Sequence, residues 1–376
     1  MAQVKPFRAV RYDERRAGPL EALVAPPYDV IGPAERERYR AQSPYNVVQL
    51  TLPDDEEEAK RLWAEWQEQG VLVRDGEPAL WWLEQDYVGP DGVPRSRGGL
   101  VCSLRVEPYS ARVILPHERT HAGPKAGRLR LLRAVRAHLE PIFLLHEGRS
   151  LVRPSANDEP LADVTEGGVR NRLWRIGEPL AGELAARLGD ARLLIADGHH
   201  RYETALAFHE EEGSEESAWL LAALVATEQE GLTIFPTHRI VNTPSLDPLQ
   251  VHGRPVPEGA LAALQRVNTL PRERSAAVLY TGSGKAMIVE GEEGELDTAL
   301  VERLGAENVT YTPRAEEAIT AVDRGEGQFA FLLRPPTVEQ VHDVAERGET
   351  MPQKTTYFYP KLPSGLLFLP LDPRKL

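Results

Sequence analysis

Glycine and proline together occupy 61 of the 376 positions, and their spread sets the strictest limit on what this chain can fold into. Proline removes a backbone donor and glycine frees a turn, so the chain is cut into short strands and helices rather than long ones. There is no internal repeat, heptad run or low-complexity tract, and no stretch of 18 apolar residues that would span a membrane. The length predicts two domains, or one large domain with a substantial insertion. Cys102 is the sole cysteine, which excludes an internal disulfide and a thiolate metal cluster. The net charge of −13 argues against nucleic acid and anionic membranes as partners. The N-terminal MAQVKPFRAVRYDERR lacks the apolar core of a signal peptide, so the expected location is cytoplasmic.

Between the punctuation, periodicity separates strands from helices. PFRAVRY near the start alternates like a strand. Asp54–Gln69 reads as an amphipathic helix carrying Leu62, Trp63 and Trp66 behind an acidic first turn, where carboxylates suit the dipole. ALWWLEQDYV and GGLVCSLRV read as strands joined by the turn-rich GPDGVPRSRG, and Arg128–Leu139 as a basic amphipathic helix. IFLLHE and RLLIAD have strand length, whereas WLLAALVAT is ambiguous between buried strand and helix. Beyond about residue 245 come ALAALQRV (helix), AAVLYTG and KAMIVEG (strands), a helix near Ala315, the strand QFAFLLR and the helix TVEQVHDVAERG. Strands and helices alternate throughout, so the predicted class is α/β (α+β), divided into 1–245 and 246–376.

Three segments carry the main candidate chemistry. FPTHRIV at 235–241 and MPQKTTYFYPKLPSG at 351–365, each with a basic pair or lysine beside hydroxyls on a Pro-bounded turn, are weaker candidates. In residues 192–212 an apolar strand ends at Asp197, Gly198 permits a tight turn, and a helix begins near His200. Such a turn offers backbone N–H groups and a positive dipole end to an anion. His199, His200 and Arg201 add donors, and Asp197 is placed to hold a metal or orient a histidine. The plainer alternative is a capped helix with surface histidines.

Residues 114–139 carry Arg119, Lys125, Arg128, Arg130, Arg133 and Arg136 against Glu118 alone, a local charge near +5. This island, with Thr120 beside Arg119, is a candidate for drawing an anionic ligand to one place. Lysine is scarce, seven against 37 arginines, and Lys125 is expected on a loop flanked by Gly123 and Gly127. The alternative is a solvated arginine-rich helix face. In the third segment, LVAPPYDVIGP at 23–33, two prolines present Tyr28 and Asp29 on a rigid loop, unless Asp29 merely caps a helix starting near Pro33.

Two motif matches are rejected on physical grounds. His117-Glu118-Arg119-Thr120-His121 fits the zinc-protease pattern HExxH, but Pro116 and Ala122-Gly123-Pro124 flank it, which denies it the continuous helix that pattern needs. GSGK at 282–285 lacks the spacing of a phosphate-binding P-loop and reads as a hairpin turn.

Six ordered motifs, VAPPYDVI, SPYNVVQL, ERTHAGPKAGRLRLLRA, IADGHHRYETAL, PTHRIV and MPQKTTYFYPKLPSG, resemble the bacterial and archaeal family known as domain of unknown function 1015. IADGHHRYETAL is also similar to the phosphate box of ParB-type nucleotide hydrolases, sulfiredoxins and free-serine kinases. That likeness implies a ParB/sulfiredoxin-like nucleotide-binding core with large insertions, followed by the C-terminal α/β portion. It further implies that Gly198, His199, His200 and Arg201 grip nucleotide phosphates, with Asp197 near a metal or the acceptor hydroxyl. No cysteine precedes the His-Arg pair as in sulfiredoxins, and no recognition helix accompanies the box as in ParB proteins.

The resulting expectation is a small-molecule kinase that uses ATP or ADP with Mg²⁺ and a small hydroxyl acceptor, free L-serine first. Asp29, Asp197 or Glu118 would be the proton acceptor, Asp197 would meet the metal, and Arg119, Thr120, Lys125 and Arg128 would assist the phosphates. The rivals are a non-catalytic nucleotide switch that engages a protein partner, and a metal-dependent hydrolase using His117, His121, His199 and His200.

Overall fold

The eight apolar residues Trp219–Ala226 form a strand buried along its whole length. In the computed structural model, described over residues 1–118, 122–148, 159–189, 191–242 and 251–371, this strand is central to a nine-stranded mixed sheet. The other strands are β1 (Val4–Lys5), β2 (Leu80–Val88), β3 (Pro94–Arg105), β4 (Ile114–Leu115), β5 (Ile142–His146), β6 (Ala162–Glu166), β7 (Val169–Ile176) and β8 (Leu193–Asp197), with Trp219–Ala226 as β9. Their order is β4-β8-β5-β9-β3-β2-β7-β6, and β1 pairs with Ser103 and Leu104 of β3, beyond the residues of β3 that pair with β2. Strand β9 runs parallel to β5 and antiparallel to β3. Neighbours on both edges and cover on both faces explain why its sequence shows no alternation.

The mixed α/β class is as expected. Helices α1 (Glu56–Glu68), α2 (Ala122–Val135), α3 (Leu180–Leu188) and α4 (His199–Glu212) accompany this sheet. Leu184 and Leu188 of α3, and Tyr202 and Ala205 of α4, join Ile142, Leu144, Leu193 and Ile195 in one core. Two sequence expectations are corrected here. Strand β3 begins at Pro94, inside the stretch read as turn, because Gly98 and Gly99 serve close packing rather than chain reversal. A Cβ on Gly98 would lie 2.3 Å from Trp82 Cζ2, and one on Gly99 would lie 2.8 Å from Val225 Cγ2. Helix α2 begins at Ala122 instead of Arg128 and ends at Val135, since proline in a first turn forfeits no helical hydrogen bond.

The chain divides into two compact units. The first comprises Met1–Pro116, Thr120–Leu232 and Pro360–Leu376; the second comprises His117–Arg119 and Thr233–Tyr359. The second unit holds a six-stranded sheet of β10 (His238–Val241), β11 (Arg254–Pro255), β12 (Arg274–Tyr280), β13 (Ala286–Glu293), β14 (Val309–Thr312) and β15 (Phe329–Leu333), in the order β11-β13-β12-β15-β10-β14. Helices α5 (Ala260–Thr269), α6 (Ala315–Asp323) and α7 (Val338–Glu346) follow the predicted pattern. GSGK makes the β12–β13 hairpin turn, with positive φ at Gly282, Ser283 and Gly284. Among the described residues no helix is long and apolar enough to cross a membrane.

Candidate phosphate site

The Gly198 turn is built by its neighbours on both sides. Strand β8 ends at Asp197, and Gly198 takes φ 96° and ψ 28° as the N-cap residue of α4. A Cβ there would stand 2.9 Å from Ile142 Cγ2 and 3.2 Å from the Arg201 guanidinium carbon, so both the backbone angle and the space require glycine. Tyr202, fully buried, anchors the helix start: its hydroxyl accepts from Glu107 N at 2.9 Å and donates to Glu107 O. Fourteen residues of aligned peptide dipoles therefore direct their positive end at the turn.

Side chains around the turn form a compact charged cluster. Arg201 Nη2 donates to Asp197 Oδ2 at 2.8 Å, and its Nη1 donates to the Pro141 carbonyl. Lys361 Nζ bonds the other carboxylate oxygen, Asp197 Oδ1. The Arg201, Asp197 and Lys361 side chains keep only 10%, 13% and 17% exposure, so their mutual attraction is weakly screened. Burial pushes the Asp197 carboxyl up, but the charges of Lys361 and Arg201 outweigh it and hold the group below the usual carboxylate range, with His199 adding in the same direction. Burial pulls the Arg201 guanidinium down, yet Glu140, Asp197 and Asp29 overcome this and raise it.

The Pro-rich loop lies against this cluster. Tyr28–Val30 is a single 3₁₀ turn, and the Arg128 guanidinium stacks over the Tyr28 ring at 4.1 Å. Glu140 Oε1 accepts from Tyr28 N and from Ser364 Oγ, each at 2.9 Å. Ala25 pairs with Ser364 through backbone bonds in both directions, and Asn46 Nδ2 donates to Ala22 O at 2.8 Å. VAPPYDVI, SPYNVVQL and the KLPSG end of the last motif thus build one wall. Asp29 is exposed on it and does not cap the following helix: Gly32 is the N-cap residue, its N–H bonded to Glu35 Oε2 at 3.2 Å.

Between Arg128, Glu140 and Arg201 opens a cavity of about 50 Å³, bordered also by His138, Thr204 and Leu220. Thr204 Oγ1 and His138 Nε2 are buried without a protein hydrogen-bond partner. The cavity has room for one or more water-sized polar groups.

The sequence-predicted residues divide three ways. Asp29, Arg128, Asp197, Gly198, His199, His200 and Arg201 belong to the first unit; His199 is buried and His200 partly exposed on the first turn of α4. Lys125 belongs to it too, but within α2 rather than on a loop, its Nζ 3.1 Å from Glu203 Oε2. Glu118 lies in the second unit and bridges to Met351, while Arg119, Thr120 and His121 fall outside the described residues. His117 is also in the second unit, its Nε2 3.0 Å from Thr356 Oγ1.

Much of the basic island is neutralised by acids on α1 and α4. Arg130 pairs with Glu56 at 2.8 Å, Arg133 with Glu211 at 2.6 Å and Arg136 with Glu212 at 3.0 Å. Arg128 is placed differently: beyond its stack on Tyr28, it donates to the Thr51 carbonyl at 2.6 Å. Sequence reasoning missed Glu140, and it held the 351–365 segment that carries Lys361 and Ser364 only as a weaker candidate without naming either residue. The only local sign was the Pro-bounded lysine in YPKLPSG.

Asp197, expected as a metal ligand, turns both oxygens toward cations instead. Among the described residues no group of three or more His, Cys, Asp or Glu gathers to hold a metal. As placed, with both oxygens taken up by Arg201 and Lys361, Asp197 offers no ready ligand position for Mg²⁺. Asp197 serves here as the counter-ion that aligns Arg201 and Lys361.

A family profile described as a protein of unknown function, DUF1015, matches residues 4–307. The chain belongs to the DUF1015 family. Among solved structures, this DUF1015 member is similar to a free serine kinase in complex with AMP (16% identity, TM-score 0.41, 68% of this chain and 88% of that chain). It is also similar to a conserved hypothetical protein from Pyrococcus furiosus (16%, TM-score 0.38, covering 68% and 91%). A third similar structure is SbnI with a C-terminal truncation from Staphylococcus aureus (13%, TM-score 0.37, covering 69% and 84%). A search of curated proteins found no match.

Proposed function

We propose that the first unit is a nucleotide-dependent phosphotransferase acting on a small hydroxyl compound, with free L-serine the first candidate acceptor by resemblance. The observation that carries this reading is the left-handed Gly198 turn at the start of α4, where Arg201 and Lys361 converge on one carboxylate. Two cations against one fixed anion, at the positive end of a helix, favour an incoming phosphate. His199 and His200 would line the phosphates on the first turn, and Arg128 and Lys125 would assist from α2.

Transfer requires positioning and charge neutralisation more than covalent chemistry. The acceptor oxygen attacks the terminal phosphorus; a new O–P bond forms as the bond to the leaving nucleotide oxygen breaks, and that oxygen keeps the electron pair. The hydroxyl proton passes to a carboxylate. Asp197 suits this poorly, because its depressed pKa makes it a weak base. Asp29 suits it better, since it is exposed on the Tyr28 turn and its charge acts on Arg201. Thr204 Oγ1 and His138 Nε2 offer partners for the acceptor's polar groups in the adjoining cavity.

The test is mass spectrometry of wild-type protein incubated with ATP or ADP, Mg²⁺ and pooled amino acids and sugars. A product heavier by one phosphoryl group is expected, and Asp29→Asn should abolish it while leaving nucleotide affinity within a few fold. Nucleotide binding without any product would replace the transferase by a nucleotide-operated switch.

A further inference from the structure

Thr204 lies one turn beyond His200 on α4 and is only 3% exposed, and its Oγ1 has no protein hydrogen-bond partner. It lines the cavity that Arg128, Glu140 and Arg201 border. His138 forms another part of the wall, its backbone fixed by antiparallel pairing with Leu369. Burial lowers the His138 ring to about 4, although a hydrogen bond to the Trp219 backbone pulls the other way. The ring is therefore neutral near neutral pH. Its N–H sits on Nδ1, facing Trp219, because Nε2 is the nitrogen without a protein partner. A neutral ring then carries its lone pair at Nε2. Leu131, Leu132, Leu139, Ile142 and Leu220 supply the apolar lining.

A lone pair and a hydroxyl left unpaired among apolar side chains select the group that enters. A hydroxyl or an amine satisfies both, donating to Nε2 and exchanging a hydrogen bond with Thr204 Oγ1. A carboxylate oxygen has no proton for Nε2 and would set two lone pairs against each other. The rim gives a carboxylate no net attraction either. Its two cations, Arg128 and Arg201, are matched by Glu140 and by Asp197, which Arg201 bonds. A volume of about 50 Å³ admits a group of only a few heavy atoms.

We infer that the phosphoryl acceptor is a small amino alcohol or polyol, whose second N–H or O–H donor, beside the reacting hydroxyl, enters this cavity onto His138 and Thr204. The inference rests on the transferase reading above and narrows its acceptor class. Two compounds that differ only at the second donor test it: L-serine, and 3-hydroxypropanoate, which lacks the amine. D-glycerate puts a hydroxyl in the amine's place. Full-length wild type, His138→Phe and Thr204→Val each receive ATP, Mg²⁺ and one compound, and kcat/KM is measured by mass spectrometry of the phosphorylated product. Tryptophan fluorescence reports the folded state, and the wild-type comparison stands even where a variant fails to fold.

A site built around a hydrogen-bonded group strongly rejects the analogue that lacks it, so wild type should favour serine or glycerate over 3-hydroxypropanoate by at least about 100-fold. In each variant that ratio should fall below about tenfold through loss on the favoured compound, with ATP affinity within about twofold of wild type. Nitrogen NMR of the His138 ring gives a reading independent of turnover. The Nε2 signal should move on adding the favoured compound and stay in place with 3-hydroxypropanoate. Equal turnover of serine, glycerate and 3-hydroxypropanoate, or a preference that survives in both folded variants, would overturn the inference and leave the transferase reading standing. No product from any of the three, with the ring signal unmoved, would overturn the transferase reading itself.

Discussion

Replacing Gly198 by alanine perturbs the turn in two separable ways. Alanine at φ 96° enters the left-handed region, which costs about 1–2 kcal/mol. Its Cβ would also meet Ile142 Cγ2 at 2.9 Å, and relieving such overpacking costs about 1–3 kcal/mol. The sum is a loss of about 2–5 kcal/mol. The opposite end of the same helix supplies the control: Gly213 has φ 62° with nothing within 4 Å of a built Cβ, so Gly213→Ala should lose only the conformational part, about 1–2 kcal/mol. All six tryptophans fall in the first unit, which makes urea denaturation followed by tryptophan fluorescence a direct reading of it. Gly198→Ala should exceed Gly213→Ala by at least about 1 kcal/mol, the lower bound of the contact cost. Equal losses would refute the argument that close packing against β5, and not φ alone, demands glycine at the turn.

Three further outcomes are expected. Glu140→Ala strands Tyr28 N and leaves Ser364 Oγ only the Pro26 carbonyl at 3.5 Å, and should cost about 1–3 kcal/mol; hydrogen exchange at the Tyr28 amide should accelerate, and unchanged protection would contradict the link. Burial lowers His238 to about 4, and its Nδ1 accepts from Leu333 N at 3.1 Å. Its contribution is therefore complete above pH 6.5 and is lost as pH falls toward 4, by up to roughly 3 kcal/mol; a ring titrating near 6.5 by proton NMR would contradict this. The Arg133–Glu211 pair is half exposed on both sides, so a double-mutant cycle should show little or no coupling, and a large one would show that the basic helix depends on its pairs.

Where one residue type carried its own signal, the fold and the site were legible in the sequence. The Gly198 turn announced itself through an apolar strand, a glycine and a helix within a dozen residues, and the structure has that strand, turn and helix. Trp219–Ala226 was ambiguous because a strand buried on both faces has no period to read. Lys125 was taken for a loop residue because Gly123 and Pro124 precede it, yet a first helical turn tolerates both. The segment of Lys361 ranked only as a weaker candidate, and Glu140 escaped notice, for a different reason. Each acquires its role only from partners far along the chain: Asp197 for the first, Tyr28 and Ser364 for the second. Net charge also misled locally, since the acids that neutralise Arg130, Arg133 and Arg136 sit on other helices.

The most direct test of the phosphate site is the unfolding midpoint of the first unit, followed by tryptophan fluorescence, with millimolar ATP and with adenosine at the same concentration. Ligand at 100 times its dissociation constant stabilises by about 2.7 kcal/mol. ATP should raise the midpoint by several degrees in wild type and much less in Arg201→Ala, while adenosine has little effect in either. An ATP shift that survives intact in Arg201→Ala, or none in wild type, would contradict a phosphate site at the Gly198 turn.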